Sequence, residues 1–135
     1  MINSNGDTTW DSTEPDEEWD HANDPSPPGY RVPTSAEFQT LLNTTHVTNV
    51  ITTENGIIGI RFTDIATGNS IFLPSATYRS HSDGSLQSDL FTTGAYWSST
   101  QRNAYNVWYL HFYGGYEGVA TTNRRNGHSI RPVAE

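Results

Sequence analysis

The sequence predicts one β-rich α+β domain whose core is built from aromatic rings. Its 135 residues are enough for a single domain with a single core. Only 33% of the residues are hydrophobic, but four Trp, seven Tyr and five Phe provide large side chains that can fill a core. One capped helical segment is followed by short runs of β-branched and aromatic residues, which are typical of strands.

The N-terminal segment carries all of the excess negative charge. The formal net charge is −8, whereas the seven acidic residues and seven Arg between positions 25 and 135 balance each other. Such a polar segment buries too little apolar surface to fold alone. We therefore predict an acidic arm at 1–18 and a domain at 19–135, with Trp10 and Trp19 attaching the arm to the domain. The acidic residues before position 25 are Asp7, Asp11, Glu14, Asp16, Glu17, Glu18, Asp20 and Asp24.

The acidic cluster "TEPDEEWD" at 13–20 offers the oxygen ligands that calcium prefers. It lacks a glycine-turned loop with spaced ligands, so a solvated acidic arm is the favoured interpretation and no metal is assigned.

Several kinds of site need residue types or spacings that the chain does not have. There is no Cys for a disulfide, a thiolate metal site or a nucleophile, and all seven basic residues are Arg. The five His show no zinc-binding spacing, and no Ser lies in a GxSxG frame. We therefore expect no enzyme, no cofactor and no nucleic-acid partner. The first residues do not resemble a signal peptide, and no apolar run is long enough to enter a membrane.

The segment "PTSAEFQTLLN" predicts a helix at about 35–43. Thr34 is the expected N-cap, and Glu37 three residues later completes a capping box. Phe38, Leu41 and Leu42 then fall on one helical face.

The remaining elements are predicted as strands. Three runs follow the helix, "HVTNVIT", "GIIGIRF" and "NSIFLP", and four more occur later, "AYWSS", "NVWYLHFY", "YEGVATT" and "HSIRPV". Between the two groups, "TYRSHSDGSLQSDLFTTG" is polar and contains glycine, which is typical of a loop.

Gly114-Gly115 predicts a two-residue hairpin turn, and such a turn sets the strand register. Tyr113 should face Tyr116, and the pairing should continue to Trp108 opposite Thr121. Because side chains alternate between faces, Trp108, Leu110, Phe112 and Val119 are predicted on the core side. The other side is predicted to carry Tyr109, His111, Tyr113, Tyr116, Gly118 and Ala120.

This second face has two interpretations that the residues leave open. The region 96–128 is rich in Tyr, Asn, Ser, Thr, Gly and Arg, a mixture that also occurs in antibody binding loops. Ordinary half-exposed strand tyrosines would give the same composition.

Four motifs in this order and spacing resemble the Fibrobacter major paralogous domain family: "NDPSPPGYRVPTSAEF", "GNSIFLPSATYRS", "GAYWSST" and "RNGHSIRPV". The resemblance runs from about Trp19 to Val133. One departure is Ser26, which stands where the family commonly has Cys between two prolines, so any role of that Cys is lost. The resemblance implies a C-type-lectin-like domain related to the formylglycine-generating enzymes, with a twisted antiparallel sheet and long irregular loops. The catalytic members of that group hold copper with two cysteines, which this chain does not have.

Domains similar to this one also serve as variable proteins of diversity-generating retroelements, in which the last segment is diversified. The resemblance therefore implies a ligand-binding surface in the C-terminal part of the chain. The candidate ligand-binding residues come from the predicted hairpin and the chain next to it. They are Tyr105, Tyr109, His111, Tyr113, Tyr116, Thr121, Thr122, Asn123, Arg124, Asn126 and His128.

The sequence supports one main hypothesis and two alternatives. The main hypothesis is a ligand-recognition domain on a phage virion or bacterial cell surface, which binds a protein or glycan of a host or neighbouring cell. Arg102, Arg124 and Arg125 would attract acidic groups at its rim. A structural or adhesive domain of a surface appendage is the first alternative, and a formylglycine-type oxidase is the second. Whether the chain forms an oligomer stays open.

Overall fold

The computed structural model describes residues 19, 21–87 and 92–135. A short 3-10 helix at His21–Asn23 precedes the regular elements. In chain order these are β1 (Tyr30–Arg31), α1 (Ser35–Leu41), β2 (Val47–Glu54), β3 (Ile57–Asp64), β4 (Ser70–Pro74), β5 (Tyr78–Arg79), β6 (Leu86–Gln87), β7 (Gly94–Gln101), β8 (Asn106–Tyr113), β9 (Tyr116–Asn123) and β10 (Val133–Ala134).

The helix α1 begins as predicted and ends two residues earlier than expected. The Thr34 side chain accepts a hydrogen bond from the Glu37 N–H, and the Glu37 carboxylate accepts one from the Thr34 N–H, so the capping box is confirmed. Arg31 donates two further bonds to Glu37, at 2.8 and 2.6 Å. These bonds hold the pKa of Glu37 at about 2. Leu42 is the C-cap, because the chain turns at Asn43, whose carbonyl accepts from His46 and Val47.

A first antiparallel sheet has the order β2-β3-β4, which confirms the three strands predicted after the helix. The β2–β3 turn is Asn55-Gly56, with φ of 49° and 80°, and these positive values suit a type I′ hairpin. The segment predicted as a loop after β4 is not wholly irregular, because β5 and β6 pair within it. Two-residue strands are too short to produce an alternating pattern in the sequence.

A second antiparallel sheet has the order β7-β8-β9 and contains the predicted hairpin. The prediction of a strand over "HSIRPV" is wrong. Residues 128–132 form an isolated bridge, between Ser129 and Tyr96, and only the last residue of the segment, Val133, belongs to a strand, β10. The segment runs beside β7, and Pro132 has no N–H to donate to a ladder.

The core lies where α1 and both three-stranded sheets meet. It is formed by Phe38, Ile60, Phe62, Leu73, Tyr96, Leu110 and Phe112. The Tyr96 hydroxyl donates to the Pro74 carbonyl at 2.6 Å, so this buried ring keeps a partner, and burial raises its pKa to about 12. Pairing of β1 with β10 brings the two ends of the described domain together.

The structure is thus α+β with mainly antiparallel sheets, as predicted. The predicted arm at 1–18, with its acidic cluster and Trp10, lies outside the described residues, so the boundary at 18/19 stays a prediction. None of the described helices has the length and apolar character that crossing a bilayer requires.

Candidate functional site

The β8–β9 hairpin has the register that the Gly-Gly turn predicts. Tyr113 pairs with Tyr116, His111 with Gly118, Tyr109 with Ala120 and Trp108 with Thr121. Gly114 and Gly115 have φ of 55° and 89°, values that side chains with a Cβ rarely adopt. The turn therefore determines which side chains share a face.

The core side of the hairpin is as predicted except at Trp108. Leu110 and Phe112 are fully buried, and Val119 packs against them. Trp108 is only half-buried and lies outside the core cluster. The reason is a bulge in β7: between the Trp97–Tyr109 and Gln101–Val107 pairs, three residues of β7 lie opposite Trp108 alone. The Ser98 hydroxyl donates to the Trp108 carbonyl at 2.7 Å within this bulge.

The other side of the hairpin presents a row of rings, which we call the aromatic row: Tyr109, His111, Tyr113 and Tyr116. Tyr113 is 48% exposed and Tyr116 is 67% exposed, while Tyr109 and His111 are half-buried. The His111 and Tyr116 rings lie 5.8 Å apart. Opposite His111, a Cβ on Gly118 would be 3.3 Å from His111 Nε2, so the glycine leaves room for the imidazole.

The inner end of the aromatic row rests on His128. Its imidazole stacks on Trp97 at 4.0 Å between ring centroids and lies 4.9 Å from both Tyr78 and Tyr109. We call Tyr78, Trp97, Tyr109 and His128 the aromatic cluster. His128 is one of the predicted ligand-binding residues; the structure shows that it packs against these three rings, and its contact with a ligand stays a prediction.

Burial determines the protonation of this part of the molecule. It lowers the pKa of His128 to about 4 and also lowers that of His111. Burial raises the pKa of the Tyr109 hydroxyl. Near neutral pH, the imidazoles of His128 and His111 are therefore uncharged, which suits their packing against the neighbouring rings.

The other predicted site residues are distributed over different parts of the molecule. Thr122 is on the same face, and its hydroxyl accepts from Asn126 Nδ2 at 3.0 Å. Thr121 and Asn123 alternate to the opposite face of β9. Tyr105, 70% exposed, lies just before β8 begins, and its carbonyl accepts from the Arg124 N–H at 3.0 Å.

Two members of the aromatic cluster, Tyr78 and Trp97, were not among the predicted site residues. Trp97 faces Tyr109 through the β7–β8 pairing, whose register is not set by a tight turn. Tyr78 comes from the segment predicted as a loop, and no local signal pointed to it.

The described residues contain no group of three or more His, Asp or Glu side chains arranged to hold a metal ion. The chemistry that the site offers is ring stacking, hydroxyl hydrogen bonds and nearby Arg side chains.

Fold and site together define an α+β protein with an aromatic surface on an antiparallel hairpin. The sequence model of one family, described as a domain of unknown function (DUF8237), matches residues 62–133. Since this match spans more than half of the 135 residues, the chain belongs to that family. The matched part includes the whole hairpin and the aromatic cluster. Searches among curated proteins and among solved structures found no match.

Proposed function

We propose that the chain is a non-enzymatic ligand-recognition domain that binds through the aromatic row. The observation that carries this proposal is the exposure of Tyr113 and Tyr116 on a hairpin whose other face is anchored in the core. Rings held by a rigid scaffold lose little conformational entropy when they bind, and they bury much surface.

The proposed ligand is a protein or glycan on a host or neighbouring cell, and the proposed location is a phage virion or bacterial cell surface. The four motifs that resemble the Fibrobacter major paralogous domain support this part of the proposal. A C-type-lectin-like fold and a role as a diversified variable protein belong to the same proposal. The helix before the first sheet and the hairpin late in the chain are compatible with that fold.

The test measures binding of the labelled chain to a glycan microarray and to intact bacteria. Tyr113→Ala/Tyr116→Ala should weaken binding by at least about tenfold, because buried aromatic anchors each contribute more than about 1.4 kcal/mol. Protease-treated and periodate-treated cells distinguish a protein ligand from a glycan.

Tyr30→Ala is the matched control, since Tyr30 is also 48% exposed but lies on β1, outside the aromatic row. It should bind like the wild type. If both variants lose binding equally, or neither does, the aromatic row is not the binding surface.

A structural or adhesive domain of a surface appendage is the second candidate. The observation in its favour is the outer face of the β2-β3-β4 sheet, where Val50 and Ile57 are exposed. This role predicts oligomers that Val50→Asp disrupts. A monomer in solution at every concentration measured by light scattering would count against it.

A further inference from the structure

Three loops meet at the end of the hairpin that is opposite the Gly-Gly turn. Residues 79 and 127 exchange two backbone hydrogen bonds, each 2.9 Å long, and the Arg124 N–H donates to the Tyr105 carbonyl. His81 is held by the Asn126 side chain, which accepts from the His81 N–H at 3.0 Å. Loops 79–84, 102–106 and 123–127 therefore form one continuous surface, which we call the arginine surface.

The arginine surface is positively charged. It contains Arg79, Arg102, Arg124 and Arg125, and Asp83 is the acidic residue in these three loops. Arg102 and Arg125 are exposed to solvent. Arg31 and Arg61 are less exposed, and they form ion pairs with Glu37 and Glu54. Tyr105, in the loop 102–106, adds a largely exposed ring to this surface. A surface of this kind fits a carboxylate-rich polypeptide.

The N-terminal part of the chain has the opposite charge and joins the domain near this surface. Residues 1–18 contain six acidic residues and no Arg: Asp7, Asp11, Glu14, Asp16, Glu17 and Glu18. The Trp19 N–H donates to the Ser99 carbonyl on β7 at 2.9 Å. Arg102 is three residues beyond Ser99, so the two residues are no more than about 11 Å apart along the chain. A segment of 18 residues spans up to about 60 Å, so its acidic side chains can reach all three loops.

We propose that the acidic segment 1–18 docks on the arginine surface of its own chain. Charge complementarity and the position of Trp19 carry the proposal. Such docking would bring acidic side chains beside the exposed ring of Tyr105. It does not depend on ligand binding by the aromatic row, so the two proposals can fail separately.

The test uses the full chain with Ser12→Cys, which introduces a single thiol into a protein without cysteine. A nitroxide attached there broadens amide NMR signals of nearby residues. The signals of Tyr105 and Arg125 should lose most of their intensity, whereas Gly115 at the far end of the hairpin should keep its own. In 1 M salt, where the Debye length is about 3 Å, the loss should disappear.

Arg102→Gln/Arg125→Gln should abolish the broadening in low salt. The matched control is Arg131→Gln, which removes an exposed charge outside the arginine surface and should leave the broadening intact. Broadening that is uniform over the domain, or that is insensitive to salt, would overturn the proposal. A second experiment mixes a nitroxide-labelled chain that is not isotope-enriched with an enriched chain that carries no nitroxide. The same broadening in that mixture would also overturn the proposal, because the acidic segment would then bind a second copy.

Discussion

The imidazole of His128 determines how the aromatic cluster responds to acid. Both of its ring nitrogens are buried, and among the described residues neither has a hydrogen-bond partner. The neighbouring Trp97 and Tyr78 rings replace the water that would solvate a charged imidazole, which is why the pKa of His128 falls to about 4. The residue is thus stable in this site only in its neutral form.

This burial predicts that acid destabilises the protein through His128. The pKa of His128 in the folded state, about 4, lies below its ordinary value of 6.5. The contribution of His128 to the free energy of unfolding is therefore constant above about pH 6.5 and falls as the pH decreases from 6.5 to 4. His128→Phe removes the titrating group. Urea unfolding at pH 7 and pH 5 should show that the wild type loses about 2 kcal/mol more than the variant between these values. An equal loss in both proteins would contradict the assignment.

At the scale of elements, strand β7 connects the core to the aromatic cluster. All its residues are buried, and direct pairing of Trp97 with Tyr109, just before the bulge, places the two rings side by side. At its start, Gly94 pairs with Phe112, and a Cβ on Gly94 would lie 2.1 Å from the Phe112 ring. The ring of Phe112 thus occupies the space that any side chain at position 94 would need.

We therefore expect Gly94→Ala to destabilise the fold by about 3 kcal/mol, near the upper end of typical overpacking costs. Gly127→Ala is the control, since its added Cβ would make an ordinary 3.4 Å contact with Arg79, and it should change stability by less than about 0.5 kcal/mol. Thermal and urea unfolding measure both. If Gly94→Ala and Gly127→Ala change stability equally, the close contact with the Phe112 ring is not the reason that position 94 needs a glycine.

At the scale of the whole molecule, two separate three-stranded sheets share one core. Apart from the apolar contacts, a side-chain hydrogen bond joins them: Asn49 Nδ2 on β2 donates to Glu117 Oε1 on β9 at 3.0 Å. Glu117 lies on the core side of the hairpin, opposite Phe112. This bond orients the hairpin, and hence the aromatic row, relative to the first sheet.

A double-mutant cycle with Asn49→Ala and Glu117→Ala should give a coupling energy of about 1 kcal/mol at pH 7, because the acceptor is charged and half-buried. Urea unfolding of the four proteins measures it. A coupling near zero at pH 7 would mean that the Asn49–Glu117 hydrogen bond does not help to join the sheets, which would then be held by the apolar core and the Tyr96–Pro74 hydrogen bond.

The prediction from sequence succeeded where local chemistry decides the outcome. Thr34 and Glu37 cap the helix because their side chains reach backbone groups only three residues away. The register from Tyr113–Tyr116 onward follows from a two-residue turn. The prediction failed at Trp108, because this residue lies opposite a bulge in another strand. It also failed at "HSIRPV", most of which runs beside β7 without regular pairing.

The sequence by itself determined the α+β class, the helix, most strands and the two faces of the hairpin, because turns, caps and alternation act over a few residues. Only the tertiary structure decided that His128 stacks between Trp97 and Tyr78, which come from distant parts of the chain. It also decided that some of the candidate residues lie in the aromatic row and others in the loops of the arginine surface. These contacts depend on how separate elements pack, and packing is a property of the whole core rather than of any local pattern.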